Sequence, residues 1–588
     1  MVFDKVRDRE WFDQPRGVAG IKLVQLRDEL REKNLHDTEE PPLGQAAGQT
    51  PPEAVASRTV DGTFNDLSCP LMGSAGTRFG RNVPLSETFP DTANLLTPNP
   101  RTVSRELFTR TAFQPATGLN VLAAAWIQFQ VHDWFVHQKG SWSDTHDIPL
   151  NGDDTWHERP MRVPKTPVDP PKVSGSTRPP AYINENSHWW DGSQVYGSNA
   201  AVQKAVRTGA DGKLRIGTDG RLLVDPESSL EITGVTDNGW VGLSLLHGLF
   251  ALEHNAICDL LKRHNPSWND EQLFQRARLV NGALIAKIHT VDWSTAILSH
   301  PVVQKGLRAN WEGVLGDTQK IFPGLNDNDL LAGIPGSPTD HHSAPYSLTE
   351  EFAAVYRMHP LMPDDFVFRS AADGSELARL ELPDLSGRRG RQVLERFSPT
   401  DLLYSLGVSH PGAIRLHNYP RHLQNLVNDK GERFDVATID ILRDRERGVP
   451  RYNQFRRLIH KRPVESFEEL TDNPLWAEEI KHVYDHDIEK VDLMVGLMAE
   501  PLPEGFGFSD TAFRIFLLMA SRRLKSDRFL SKDFRPEVYT KQGIDWVQKS
   551  TMIDVLKRHF PDLKRALDGR KSAFHPWNPA PARPAARR

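Results

Sequence analysis

The chain has 588 residues and a mass of 66.4 kDa, too long for one small module. Hydrophobic residues make up 38% and charged residues 25%, which excludes wholesale disorder. A net charge of −5 gives no global reason to bind nucleic acid, and only two cysteines, Cys69 and Cys258, exclude a disulfide scaffold, an iron–sulfur centre and a Cys-rich zinc site.

Reading along the chain, the N-terminus MVFDKVRDREWFDQPRG lacks the apolar core and small-residue cleavage site of a secretory signal. No apolar run reaches the roughly 18 residues of a spanning helix. The expected compartment is the cytoplasm. Residues 18–30 predict an amphipathic helix, either packed on the body or lying in a membrane interface as a peripheral contact. A polar, Pro/Gly-rich arm follows to residue 60, and 61–118 are irregular. Residues 119–138 predict a helix opened by an alanine run. The Pro-rich stretch within 141–182 is neither helix nor central strand. Long helices are expected over 239–264 and 269–298, and another over 347–358 that must end near Pro360. Further helical patterns fall at 400–406, 435–447, 466–471, 475–486 and 511–525. The best period-2 alternation is 377–382, and no repeat of fixed period occurs. The tail from about Gly569 is Pro/Ala/Arg-rich and expected to be disordered. The fold class is therefore mainly α: a single large helical body over 61–568, with long ordered loops and few strands. Loops that long are usually functional.

Four segments carry chemistry. In WIQFQVHDWFVHQKG, Gln128 and His132 share one helix face, with Asp133 about 100° further round. An imidazole beside an amide suits oxygen chemistry, and the carboxylate suits a hard cation. A lone helical His is nonetheless more often a satisfied core group. In INENSHWWDGSQVYGS, the oxygens of Ser187, Asp191 and Ser193 and the backbone carbonyl of Trp189 suit Ca²⁺, although an Asx/Ser turn around a buried Trp pair reads as well. In EEFAAVYRMHPLMPD, Tyr356 and His359 face the same way at a helix end. They suit an axial nitrogen for haem iron with a phenol beside it, or simply a buried core pair. In RERGVPRYNQFRR, Arg456 and Arg457 could bind carboxylates such as haem propionates, and Asn453 could take the other ring N–H of an axial His. A solvated basic helix start explains the same residues.

Together, and in this order, the four segments resemble the animal-type haem peroxidase superfamily. Within it the chain is most similar to the fatty-acid α-dioxygenases. The resemblance is carried by DLSCPLMGSAGTRFGRNVP, QVHDWFVH, HWWDGSQVYGS, LFALEHNAICD, KIHTVDWS, VYRMHPLMPD, HNYP and SRRLKSDRF, over roughly residues 60–565. It implies that His132 is the distal histidine with Gln128 beside it. It implies that Asp133, Ser187, Trp189, Asp191 and Ser193 bind calcium, and that His359 is the proximal iron ligand. Tyr356 would become the catalytic radical. His137 and Arg456 would contact haem propionates. His289 and Ser294, with Arg522, Arg523 or Arg528, would hold the substrate carboxylate.

The chain also departs from the halide-oxidising members. Val131 and Gly239 stand where those carry ester-forming acids, so haem b should be held non-covalently. Thr236 lies near the position of their distal arginine, which leaves peroxide cleavage less assisted. His417 replaces the Trp expected before NYP. The resemblance implies insertion of O₂ at C2 of a long-chain fatty acid by a tyrosyl radical, after activation by peroxide, to give a 2-hydroperoxy acid. The alternatives are a haem peroxidase oxidising small reductants and a non-catalytic haem-fold protein. A carboxylate clamp argues against the first, and retention of His132, Gln128, Tyr356 and His359 together argues against the second.

Overall fold

The computed structural model describes residues 10–44, 50–227, 230–237, 239–314, 329–428 and 430–581. The sequence expectations for the first nine and last seven residues lie outside these.

Helix α1 (Arg16–Lys33) turns Ala19, Leu23 and Leu30 onto the body and leaves Val18 and Ile21 outward. The Trp11 indole donates to Asp510 at 2.8 Å, and Arg31 donates to Ser521 at 2.8 Å. This segment therefore packs on the body. Helix α2 (Val121–Trp134) starts where the Asn120 side chain accepts from the Ala123 N–H. It is buried nearly all round, as a helix through the middle of a large core must be. Helix α3 (Val241–His264) is long and apolar enough to cross a bilayer, but 78% of its most apolar stretch is buried inside the protein. Helix α4 (Asp270–Lys287) opens on a capping box between Asn269 and Gln272. It packs along α3, which packs in turn on α2.

The long helix expected over 269–298 is not continuous. After α4 the chain widens into a π turn, Ile288–Trp293, and then resumes as the short α5 (Ser294–Ile297). Such π segments occur mostly at functional sites. Helix α6 (Glu350–Val355) is capped by the Thr349 hydroxyl, which accepts from the Phe352 N–H, and it stops at Tyr356. Pro360 then permits only the short 3₁₀ turn His359–Leu361.

Strands are few and local. Among the described residues three antiparallel pairs occur: β1 (Thr145–Ile148) with β2 (Met161–Pro164), β3 (Asp365–Arg369) with β4 (Glu376–Glu381), and β5 (Leu426–Val427) with β6 (Arg433–Phe434). Later helices complete the body: α7 (Pro399–Val408), α8 (Val436–Glu446), α9 (Leu493–Ala499), α10 (Asp510–Ser526), α11 (Lys541–Lys549) and α12 (Met552–His559). Buried Glu253 on α3 anchors the last two. It accepts from Trp546 at 2.8 Å, meets His559 at 2.7 Å and pairs with Arg558.

The tail from Gly569, expected to be disordered, is docked as far as Ala580. Phe574 and Trp577 are buried, and the Asn120 amide donates to the carbonyls of Ala573 and His575 at 2.8 Å. A Cβ at Gly407 would collide with the Trp577 ring, so α7 and the tail fit face to face. Two aromatic anchors outweigh the Pro/Ala/Arg composition.

Candidate active site

The first group lies in the last turn of α2. His132 is buried, and its Nδ1 has no hydrogen-bond partner. Burial pushes its pKa down to about 4, so the ring is neutral and able to accept a proton at neutral pH. The Gln128 carbonyl oxygen accepts from the Trp240 indole at 2.9 Å. Trp240 in turn lies against Phe366 of β3, with ring centroids 5.8 Å apart. Trp240 thus links α2 to β3, the strand that follows the His359 turn.

On that second side His359 keeps about a third of its side chain accessible, and its Nδ1 lies 2.9 Å from Asp440. Asp440 also receives Tyr419 at 3.1 Å and Arg357 at 2.6 Å. Nδ1 faces this carboxylate at ion-pair distance but outside hydrogen-bond geometry, which leaves Nε2 on the opposite edge of the ring for a metal. This corrects the expectation for Asn453. The Asn453 amide instead donates to the Val464 carbonyl at 2.9 Å and to Glu489 at 3.0 Å. Asp440 was missed because a lone acid about eighty residues further on carries no local signal linking it to His359.

Tyr356 is buried with its ring 5.1 Å from Trp134 and 4.6 Å from Phe352. Burial raises its phenol pKa far above the ordinary range, so it is protonated and able to give up a hydrogen atom. Trp134 lies edge-on to His289 as well, at 5.1 Å. His289 stacks on Trp293 at 4.8 Å, and its Nδ1 accepts from the Trp126 indole at 3.3 Å. The ring therefore carries its proton on Nε2 and offers a donor there. Burial and the nearby Arg523 keep it neutral. The π turn explains the pairing with Ser294. The Ser294 N–H donates to the His289 carbonyl, an i to i+5 bond, so the two residues sit one above the other. The Ser294 hydroxyl is buried without a partner.

Of the three candidate arginines, Arg523 keeps a terminal guanidinium nitrogen without a partner, whereas Arg528 keeps only its Nε. Arg522 is consumed by the carbonyls of Ala344 and Pro345, both at 2.9 Å. Arg528 is consumed by the Val55 carbonyl at 2.9 Å and by Asp533. Arg523 lies between indoles, its guanidinium carbon 4.4 Å from the rings of both Trp134 and Trp190. Its Nε and one terminal nitrogen have no partner. Arg523 and His289 thus lie against the Trp134 ring, which also touches Tyr356, and the unpartnered Ser294 hydroxyl lies one π turn from His289. The abundance of Trp was the sequence signal for this box, but not for its membership.

The expected propionate contacts fare differently. Arg456 is paired with Glu500 at 3.0 Å and with the Tyr452 hydroxyl at 2.9 Å. It is a core ion pair, and the expectation is corrected. His137 stacks on Phe79 at 4.2 Å and binds Glu350 at 2.9 Å, so its ring is already engaged. His417 pairs with Glu479 at 2.7 Å, away from these groups. The His-bearing EHN segment is structural: His254 meets the Tyr196 hydroxyl at 2.9 Å inside the core.

A second constellation lies at the back of α2. Asp133 Oδ1 accepts from the Ser193 N–H at 2.6 Å and from its hydroxyl at 2.9 Å. Asp191 Oδ2 meets Arg278 at 3.3 Å. The other oxygens, Asp133 Oδ2 and Asp191 Oδ1, are buried without partners. Burial pushes both carboxyl pKa values upward, and the Asp191 charge adds to the shift of Asp133. Ser187 and Trp189 are fully buried beside them, with the Trp189 N–H donating to the Ser187 hydroxyl at 3.2 Å. Among the described residues no three His, Cys, Asp or Glu converge on one point, so any cation here would need neutral oxygen ligands as well.

Residues 57–570 match the animal haem peroxidase family. The chain is 39% identical to the α-dioxygenase PIOX of Pisum sativum over 96% of this chain and 89% of that one. The fold superposes on the crystal structure of the Oryza sativa fatty acid α-dioxygenase with a TM-score of 0.90 and 36% identity, covering 98% of this chain and 95% of that one. A Tyr-to-Phe variant of the rice protein has been solved with palmitic acid. The Arabidopsis thaliana enzyme superposes with a TM-score of 0.91 at 36% identity, covering 99% and 92%.

Proposed function

This chain belongs to the fatty-acid α-dioxygenases of the animal haem peroxidase family, and on that premise we propose which of its residues do the chemistry. It is an oxidoreductase acting on a fatty acid, and family membership implies haem. The donor set fits that group: His359 has one nitrogen facing the Asp440 carboxylate at 2.9 Å and one to give, and His132 is neutral with an unpartnered nitrogen. His359 would hold haem b non-covalently, and the group would supply the oxidising equivalent, drawn from a peroxide, by which Tyr356 gives up its phenol hydrogen.

His132 takes the proton of the incoming peroxide. Arg523, His289 and Ser294 grip the carboxylate of a long-chain acid, Arg523 by charge-assisted hydrogen bonds. Trp134, wedged between clamp and phenol, fixes the distance between them and excludes water. The phenoxyl oxygen of Tyr356 removes one hydrogen atom from C2, which leaves a carbon radical and an intact phenol. O₂ adds to C2. The resulting peroxyl takes the phenol hydrogen back, giving the 2-hydroperoxy acid and restoring the radical. Cleavage of the O–O and C1–C2 bonds of that product, with loss of CO₂ and water, yields the shortened aldehyde. The observation that carries the assignment is the convergence of Arg523, His289 and Tyr356 on Trp134. It is tested by O₂ uptake with palmitate and by mass spectrometry of the product, which should place oxygen at C2.

Arg523→Gln separates the clamp from its neighbours. A hydrogen bond to a charged partner is worth about 1.5–3 kcal/mol, so kcat/KM for palmitate should fall roughly ten- to a hundredfold. Arg522→Gln should instead lower Tm and leave that ratio of constants near wild type. Equal kinetic losses in both variants would remove Arg523 from this role.

The constellation of Asp133, Asp191, Ser187, Ser193 and the Trp189 carbonyl fits Ca²⁺, because two buried anionic oxygens lack partners. Such an ion ties α2, which carries His132, to the 187–193 loop. Chelation should lower Tm and activity together, by about 3 kcal/mol of stability where free calcium had been near 100 times Kd. Re-added calcium should restore both. Elemental analysis that finds no calcium in protein purified without chelator would remove this ion.

A further inference from the structure

We infer that the guanidinium of Arg523, held between the rings of Trp134 and Trp190, confines the unpaired electron to Tyr356 by making the two indoles hard to oxidise, a role that rests on the Tyr356 radical proposed above and is separate from gripping a carboxylate. An indole gives up an electron about as readily as a phenol does. A tryptophan beside a phenoxyl radical is therefore a place for that radical to escape. Trp134 packs edge-on to Tyr356 with ring centroids 5.1 Å apart, and Trp190 packs on Trp134 at 5.9 Å. Both indoles are buried. Unguarded, such a pair would draw the oxidising equivalent away from C2 of the substrate.

Escape can take two routes, and both are opposed here. In the first, an electron passes from the indole to the phenoxyl, a proton joins the phenol oxygen, and an indole radical cation is left. Arg523 opposes this route. Its guanidinium is permanently charged, and its carbon lies 4.4 Å from both rings. A cation over a neutral indole is attracted to it, whereas a cation over an oxidised indole is repelled, and burial leaves little water to screen the charge. The phenoxyl radical is neutral, so the same guanidinium does not penalise it. In the second route the indole gives up its N–H proton together with the electron, leaving an intact phenol and a neutral indolyl radical. That proton needs an acceptor. Trp134 Nε1 is buried without a hydrogen-bond partner. Trp190 Nε1 donates at 3.0 Å to the Gln130 amide oxygen, which is too weak a base to keep the proton.

The guanidinium is fixed in this slot from further sides. The Tyr346 hydroxyl accepts a hydrogen bond from the Arg523 side chain and donates its own to the His188 carbonyl at 2.9 Å. Phe352, which also packs on Tyr356, lies 5.7 Å from the guanidinium carbon, and its ring is far harder to oxidise than an indole. Trp134 ends α2, Trp190 lies in the 187–193 loop and Arg523 is near the end of α10, so three distant segments meet to place one cation between two indoles.

The test is electron paramagnetic resonance of the holoenzyme frozen after peroxide in the absence of fatty acid, with protein made on ordinary and on ring-deuterated tryptophan. In the wild type the label should leave the lineshape unchanged, since the spin stays on the phenol. In Arg523→Gln the label should narrow the lineshape, and the tyrosyl signal should decay several-fold faster. Arg523→Lys should restore the wild-type behaviour, because the charge is what confines the radical. Adding Trp134→Phe to Arg523→Gln should remove the effect of the label, because Trp134 is the indole that touches the phenol. If Arg523→Gln does not fold, the wild type decides. The carboxylate of 2,2-dimethylpalmitate, which has no C2 hydrogen to lose, neutralises the guanidinium, and at concentrations that inhibit palmitate oxygenation it should make the lineshape sensitive to the label. A label effect in the untreated wild type, its absence in folded, haem-replete Arg523→Gln, or failure of Arg523→Lys to restore confinement would overturn the proposal. If peroxide raises no tyrosyl signal in the wild type, or an undiminished one in Tyr356→Phe, it is the Tyr356 reading that falls, and this role falls with it.

Discussion

Tyr356→Phe is expected to abolish O₂ uptake with palmitate while leaving peroxide-driven oxidation of a small reductant intact. The substitution keeps the ring that packs 5.1 Å from Trp134 and 4.6 Å from Phe352, so the box around the clamp is undisturbed. Only one hydroxyl is lost, a change of about 1 kcal/mol in stability at most. The phenoxyl oxygen, however, is the atom that removes hydrogen from C2, and no neighbour replaces it. Trp134 lies close but is placed by its contacts with Arg523 and His289 to hold the substrate, not to present an oxygen. Oxygenation should fall to background, and the tyrosyl signal in electron paramagnetic resonance after peroxide should disappear. His289→Ala gives a different signature. The radical still forms, but C2 is misplaced, and an error of about 1 Å can cost roughly 10²-fold. Near wild-type O₂ uptake by Tyr356→Phe would move the radical away from this residue and make the small-reductant peroxidase the better account.

His359→Ala should remove the Soret band of the purified protein or shift it strongly. The variant loses the imidazole whose Nδ1 faces the buried Asp440 carboxylate and whose Nε2 is left for the iron. Asp440→Asn is the informative companion. It keeps a hydrogen-bond acceptor for His359 Nδ1 but removes the charge that Arg357 and Tyr419 help hold in place. Haem should still bind, while the reduction potential rises, because a neutral partner makes the imidazole a weaker donor. Asn453→Ala should lower Tm and leave the spectrum unchanged, since its amide bridges Val464 and Glu489 within the core. Haem bound at wild-type stoichiometry and with an unshifted spectrum in His359→Ala would refute the ligand assignment.

Much of this was legible before any coordinate. The Ala run and the caps around residue 121, the apolar sweep of 241–264 and the proline after His359 fix helices by local rules. Oxygen-bearing residues at short spacing marked the 187–193 loop, and the order of the motifs marked the family. Local signals act over one or two helical turns, and within that range they were dependable. Three features lay beyond it. Arg522, Arg523 and Arg528 are alike in sequence, and burial alone separated them: two met carbonyls or a carboxylate, and one was left with unspent donors among the indoles. Asp440, not Asn453, reached His359, because partnership across eighty residues is a matter of packing rather than spacing. The tail from Gly569 was disordered by composition and ordered by docking, because Phe574 and Trp577 found cavities that only the finished body provides. Sequence thus determined which elements form and which chemistry is on offer. The tertiary structure decided which donors stay free, because a polar group is functional only where the fold leaves it without a partner.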